Sequence, residues 1–226
     1  MEKIRKALNI LISRISEQNY DESFAFYRLW LDITQNYSQK YPDRIFDSLF
    51  DNRGAQGLTD NINKLTHSTA HLIVRFAGDV ESDSILGPYA IGLQNRLCTK
   101  ILQEFFENNI GIVQDTELHG YTFQAQFIAN ANFIAHWANL GYIEESAIRN
   151  HILQSLISHP EKLYYHQADA LIVLFKLAGA TFKEYVDPSV IDRCFERLKD
   201  RYGSSATWNQ VVQARVVSCY GWLQLS

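Results

Sequence analysis

The chain has 226 residues, 46% of them hydrophobic and 20% charged, with a formal net charge of −4. That length suits one sizeable domain or a short helical solenoid with its own core, and the composition excludes a disordered chain. The acidic balance excludes a generic nucleic-acid binder and leaves room only for a local basic strip.

With four prolines and eleven glycines there are few breakers of long helices, and the apolar period is helical nearly throughout. Ile4, Leu8, Leu11, Ile12 and Ile15 form a first stripe. Ser16 is placed to cap a second helix carrying Phe24, Tyr27 and Leu31, interrupted at Lys40–Pro42. Ile45, Phe46, Leu49 and Phe50 predict a short third helix ended by Asn52–Gly54. The stretch Leu58 to Ala77 reads as a helix broken by the glycine-rich acidic run Gly78 to Gly87. Leu93, Leu97, Ile101, Leu102 and Phe105 mark the next helix, and Asn108 to Gly120 reads as a loop.

In the C-terminal half, Phe127, Ala131, Ile134, Ala135 and Ala138 face one way and Gly141 is a C-terminal cap. Ile148, Ile152, Leu153 and Leu156 follow, up to His159–Pro160. A further stripe, Leu171, Leu174, Phe175 and Ala178, is expected to stop at Gly179. Asp187–Pro188 is a helix start, with a capping residue before proline at the first helical position. Val190, Ile191, Cys194, Phe195 and Leu198 fill the buried face of that helix, Gly203 ends it, and a last helix runs from about Ser205 to Trp222. The segment from Asn130 can be laid over the segment from Ala168, a repeat near the forty-residue period of HEAT-like units. No stretch alternates as a strand does, so the expected class is all-α: an α-α superhelix of about five HEAT-like helix pairs in one domain, 1–226.

The three cysteines, Cys98, Cys194 and Cys219, are sparse and odd in number, which argues against a disulfide framework and for buried thiols in a reducing compartment. Charges interleave the apolar positions of the first twenty residues, so no signal peptide is read there. No run of about eighteen apolar residues occurs, so no membrane span is expected. His67 and His71 have the spacing of two metal ligands on one helix face, but no Glu lies between them and no third ligand is near. Solvated or capping histidines are the preferred reading, and no metal or other cofactor is expected. No nucleophile elbow, phosphate loop, dinucleotide fingerprint or Cys-x-x-Cys pair is present, so an enzyme is not expected. Tyr164, Tyr165 and Tyr185 fall near inter-helix turns, as candidates for exposed anchors or for packing between helices.

The residues also resemble a known family. ISRISEQNYDESF, Ile12 to Phe24, is similar to an opening signature Asn-Lys-Leu-Thr-Pro-Glu-Asn-Phe, with Asn19 and Tyr20 on its Asn-Phe. RIFDSLFD, from Arg44, resembles Ile-Phe-Glu/Asp-Lys-Ala. LCTKILQEFFE, from Leu97, resembles a helix in which Gln103, Phe106 and Glu107 match. The run from Ile128 to Ile157 resembles Leu-Gly-Asn-x-x-Phe-Ile-Gly-Glu-Leu and a following capped helix, with Asn130, Phe133 and Ile134 matching. ALIVLFKLAGATFKE resembles the next helix, and the tail is similar to a Ser-Arg-x-Arg-Phe helix through Arg215. The family is the middle domain of eukaryotic translation initiation factor 4G and its relatives. The chain departs from it at Glu17, where the family has Pro, and at Ala129, where it has Gly, and the segment between Leu49 and Leu97 has no close counterpart.

The resemblance implies a translation-initiation scaffold with no catalysis of its own. Its partner would be a DEAD-box RNA helicase of factor 4A type, with RNA as a further partner, in the cytoplasm. The alternative it implies is a sister branch in messenger RNA decay or RNA processing, in the cytoplasm or nucleus, that binds a different protein or RNA. The partner-binding candidates are Gln103, Phe106, Asn130, Tyr164, Tyr165 and Arg215. On the helix from Leu97, Gln103 is expected to be exposed and Phe106 partly so, because each residue turns the helix by about 100° from the buried stripe.

Overall fold

A computed structural model describes residues 2–34, 45–47, 49–50, 67–114, 120–158 and 163–202. Among these residues the chain is all-α, with no strand. The helices are α1 (Glu2–Ser13), α2 (Tyr20–Thr34), α3 (His67–Ser82), α4 (Leu93–Gln114), α5 (Gly120–Asn139), α6 (Glu145–Ala147), α7 (Gln154–Ile157), α8 (Tyr165–Tyr185) and α9 (Pro188–Tyr202). A 3₁₀ turn, Gly87–Tyr89, precedes α4, and a π-helical turn, Ile148–Leu153, joins α6 to α7 without a break. Residues 45–47 and 49–50 are also helical. The expected interruptions at Lys40–Pro42, Asn52–Gly54, His159–Pro160 and Gly203, the stretch 58–66, the helix from Ser205, Cys219 and Arg215 lie outside the described residues.

The chain forms two compact units, Met1–Ile101 and Leu102–Ser226. In the first, the ring of Phe76 on α3 is the centre of an aromatic group. Phe24 and Tyr27 on α2 meet it edge to face at 5.6 and 4.9 Å between ring centres. The Tyr20 hydroxyl donates to Asp79 at 2.7 Å, and the Arg75 guanidinium lies 3.8 Å over the Tyr20 ring. Ser16 does not cap α2. That helix begins at Tyr20, and the Asn19 carbonyl accepts its first bond from the Ser23 N–H at 2.9 Å. The Asn19 side chain accepts from the Ser16 N–H and donates to the Arg14 carbonyl, which fixes the turn between the helices. Gly78 does not break α3, which runs to Ser82. The break falls at Asp83, whose carboxylate accepts the Ile85 and Leu86 N–H groups at 2.8 and 3.0 Å.

In the second unit every residue from Phe127 to Ala138 on α5 is buried, not one face only. A helix apolar all round belongs in a core, and α5 packs chiefly on α8. Alanines 129, 131, 135 and 138 let neighbours approach closely. Phe133 and Ile134 are buried, Ile134 as its place in the apolar stripe predicts. At the end of α5, Gly141 takes φ +73°, the Tyr142 N–H donates to Trp137 O, and the Gly141 N–H donates to Ala138 O. This pair of bonds is the Schellman cap that a glycine permits. The Thr181 hydroxyl donates to Asn139 Oδ1 at 2.6 Å, and Asn139 Nδ2 donates to Leu177 O at 2.9 Å, joining α5 to α8 along their edge.

Gly179 does not stop its helix: α8 continues to Tyr185. Asp187 accepts the Ser189 N–H at 2.8 Å and Pro188 opens α9 as expected. Of the loop expected from Asn108 to Gly120, the part to Gln114 is helix, since α4 continues to there, Gly120 opens α5, and residues 115–119 lie outside the described residues. Cys98 and Cys194 are free and buried, and burial pushes their thiols up to about 11 and about 12.

Candidate functional site

The residues from Leu102 on α4 lie on three faces. Phe105 is buried and stacks on Phe127 of α5, ring centres 4.4 Å apart and planes within 8°. Leu102, expected in the buried stripe with it, is half-buried. Glu104 turns toward α5, where its carboxylate accepts from Gln126 Nε2 at 2.6 Å and from Asn130 Nδ2 at 3.3 Å. Gln103 is exposed and donates to Glu107 Oε1, one turn on, at 2.7 Å. Phe106 is half-buried, edge-on to Phe105 at 5.7 Å.

Phe106 opens into a cleft of about 300 Å³ whose other lining residues are Asn150, His151, Gln154, Ser155 and Ser158. The wall opposite Phe106 is thus the π-turn and α7. Their apolar residues Ile148, Ile152, Leu153 and Leu156 are buried, so the polar side chains between them are left on the cleft side. A π-turn is uncommon and recurs at functional positions.

Behind this wall runs a buried chain of polar bonds. Asn109 Nδ2 donates to Ser155 O at 3.2 Å, Gln167 Nε2 donates to Asn109 Oδ1 at 3.0 Å, and the Tyr164 N–H donates to Gln167 Oε1 at 3.1 Å. It links α4, α7 and the start of α8, and so fixes the cleft wall and Tyr164 together. His166 lies beside it, buried against Phe127 at 5.2 Å. Burial lowers its pKa to about 4, so the ring is neutral at pH 7.

Of the residues singled out from sequence, Gln103 and Phe106 share the α4 surface next to the cleft. Asn130 is not a surface residue. It is fully buried on α5 and holds Glu104 from inside. Tyr164 is half-buried at the N-terminus of α8. Tyr165 and Tyr185 are the first and last residues of α8, and their side chains lie outside the described set, as does all of Arg215. His71 is exposed on α3, and the described residues hold no group of three or more His, Cys, Asp or Glu placed to bind a metal ion. Asn150, Gln154 and Ser158 are not singled out by the sequence. The signal was present in the four-residue step of Asn150, Gln154 and Ser158, a polar row beside the apolar row Ile148, Ile152 and Leu156.

No protein-family model matches the chain, and searches of curated proteins and of solved structures find no match. No described helix is long and apolar enough to cross a membrane.

Proposed function

We propose that the chain is a non-catalytic helical scaffold that binds a DEAD-box RNA helicase of factor 4A type through the α4 surface around Gln103 and Phe106. In this reading the helix pairs stack as a HEAT-like solenoid and the protein works in the cytoplasm. The bound surface fits one arrangement of the helicase lobes better than the others and so raises its population. The observation that supports the reading is the half-buried ring of Phe106, open to a cleft and flanked by the exposed carboxamide of Gln103. An aromatic ring held by its own core and partly open to solvent is a good anchor, because little side-chain freedom is lost when a partner covers it. The family resemblance of the same helix supplies the class of partner. Titration of the full chain with a factor 4A-type helicase tests the proposal, with a Gln103→Ala/Phe106→Ala variant as the comparison.

A further inference from the structure

We infer that the chain pairs with a second copy of itself through the outer rows of α1 and α2, with α1 of one copy lying antiparallel on α2 of the other. This surface belongs to the first unit and is independent of the α4 surface and its proposed partner.

The rows are apolar where solvent would be met. Ile10 on α1 is 51% exposed, and Phe26 and Leu29 on α2 are 59% and 57% exposed. Apolar side chains exposed singly are ordinary, but a contiguous set marks a contact. On α2, Tyr20 and Tyr27 are buried, while Glu22, Ala25, Phe26 and Leu29 are exposed. Each residue turns a helix by about 100°, so the exposed set lies on the far side from Tyr20 and Tyr27. A helix packed on one core usually turns a polar face outward. The outer face of α2 is instead apolar from Ala25 to Leu29.

The outer row of α1 supplies the match. It runs Ala7, Ile10 and, one position past the helix, Arg14, whose N–H still donates to Leu11 O at 3.1 Å. The steps are three and then four residues. Read backward, α2 runs Leu29, Phe26, Glu22, with the same two steps in the same order. Steps of three and four are those by which paired helices interlock. Laid antiparallel, the two rows keep step: Ala7 meets Leu29, Ile10 meets Phe26, and Arg14 meets Glu22. Small stands against large, apolar against apolar, and cation against anion. Glu17 and Asp21, also exposed, add negative charge at the end that Arg14 reaches.

Two-fold symmetry brings these rows together. Asn19 bonds back to Ser16 and to Arg14, which sets the end of α1 beside the start of α2 within one copy. A two-fold axis along the helices preserves that height, so Arg14 of one copy stands level with Glu22 of the second. The same axis repeats each contact in reverse, which closes the pair and leaves neither row over.

Sedimentation velocity of the full chain over a concentration series tests the inference. The parent should be dimeric. Phe26→Ser/Leu29→Ser should be monomeric and keep its circular dichroism spectrum, since both side chains are exposed. Arg14→Glu and Glu22→Arg should each weaken the dimer on the order of tenfold, because each change occurs twice across the interface and sets like charges together. The two charge changes combined should restore it. A parent that stays monomeric up to roughly 100 μM overturns the inference and leaves the face to another protein. A dimer that survives Phe26→Ser/Leu29→Ser overturns it as well, as do single charge variants that weaken the dimer without mutual rescue.

Discussion

Gln167 and Asn109, 58 residues apart in sequence and both buried, are joined by a single hydrogen bond of 3.0 Å. Each is also bonded on its other side, Asn109 to Ser155 O and Gln167 to the Tyr164 N–H. Removing either side chain leaves a buried group without its partner, which costs about 1–3 kcal/mol. Asn109→Ala and Gln167→Ala should each destabilise by that amount. The double variant should fall short of their sum by at least about 0.5 kcal/mol. Urea unfolding of the four proteins measures the cycle, and strict additivity would mean that the two residues act separately.

Phe133 is 1% exposed on a helix buried on all sides. Its truncation opens a void beside the Trp137 ring, 5.7 Å away between ring centres. Phe133→Ala should cost about 3–5 kcal/mol. A melting curve unchanged from the parent would contradict the placement of α5 in the core.

Gly141 sits at φ +73°, and a Cβ built there meets no atom within 4 Å. The cost of replacing it is therefore one of backbone conformation and not of crowding. Gly141→Ala should destabilise by about 1–2 kcal/mol and Gly141→Asn by less, since Asn tolerates the left-handed region. Chemical denaturation gives the order, and an alanine variant as stable as the parent would argue against the Schellman cap.

His166 is 4% exposed, and burial lowers its pKa to about 4 from an ordinary value of 6.5. The folded chain therefore binds its proton less readily than the unfolded chain. Stability from this difference is fully present above about pH 6.5 and is lost as pH falls toward about 4. Between those limits the slope from this one group is up to about 1.4 kcal/mol per pH unit. His166→Leu should flatten the stability profile over that range relative to the parent. NMR titration of the ring should show no proton uptake between pH 8 and pH 5, and a midpoint near 6.5 would contradict its burial.

The parts of the fold readable from sequence are those set by local chemistry. Asp187–Pro188 starts α9 because a capping carboxylate and a proline each satisfy the first turn, and Gly141 ends α5 because the cap needs a positive φ. Where tertiary contacts decide, sequence misleads. Asn108 and Asn109 look like a loop, yet the helix passes through them, and Asn109 bonds to Ser155 and Gln167, which no local pattern reveals. Gly179 looks like a stop, yet it is buried within α8, where packing outweighs the roughly 1 kcal/mol that glycine costs a helix. Asn130 illustrates the same limit at the site. The family resemblance makes it a partner-binding candidate, and here it is the inner partner of Glu104. The exposure of Gln103 and the half-burial of Phe106 agree with the angular step from the buried residues Leu97, Ile101 and Phe105.

Calorimetric titration with a purified factor 4A-type helicase tests the proposed function most directly, comparing the parent chain with the Gln103→Ala/Phe106→Ala variant. The expected result is measurable binding by the parent and at least a tenfold weaker dissociation constant for the variant, about 1.4 kcal/mol, with the helical circular dichroism spectrum retained. No binding by the parent, or an equal dissociation constant for a folded variant, would contradict it.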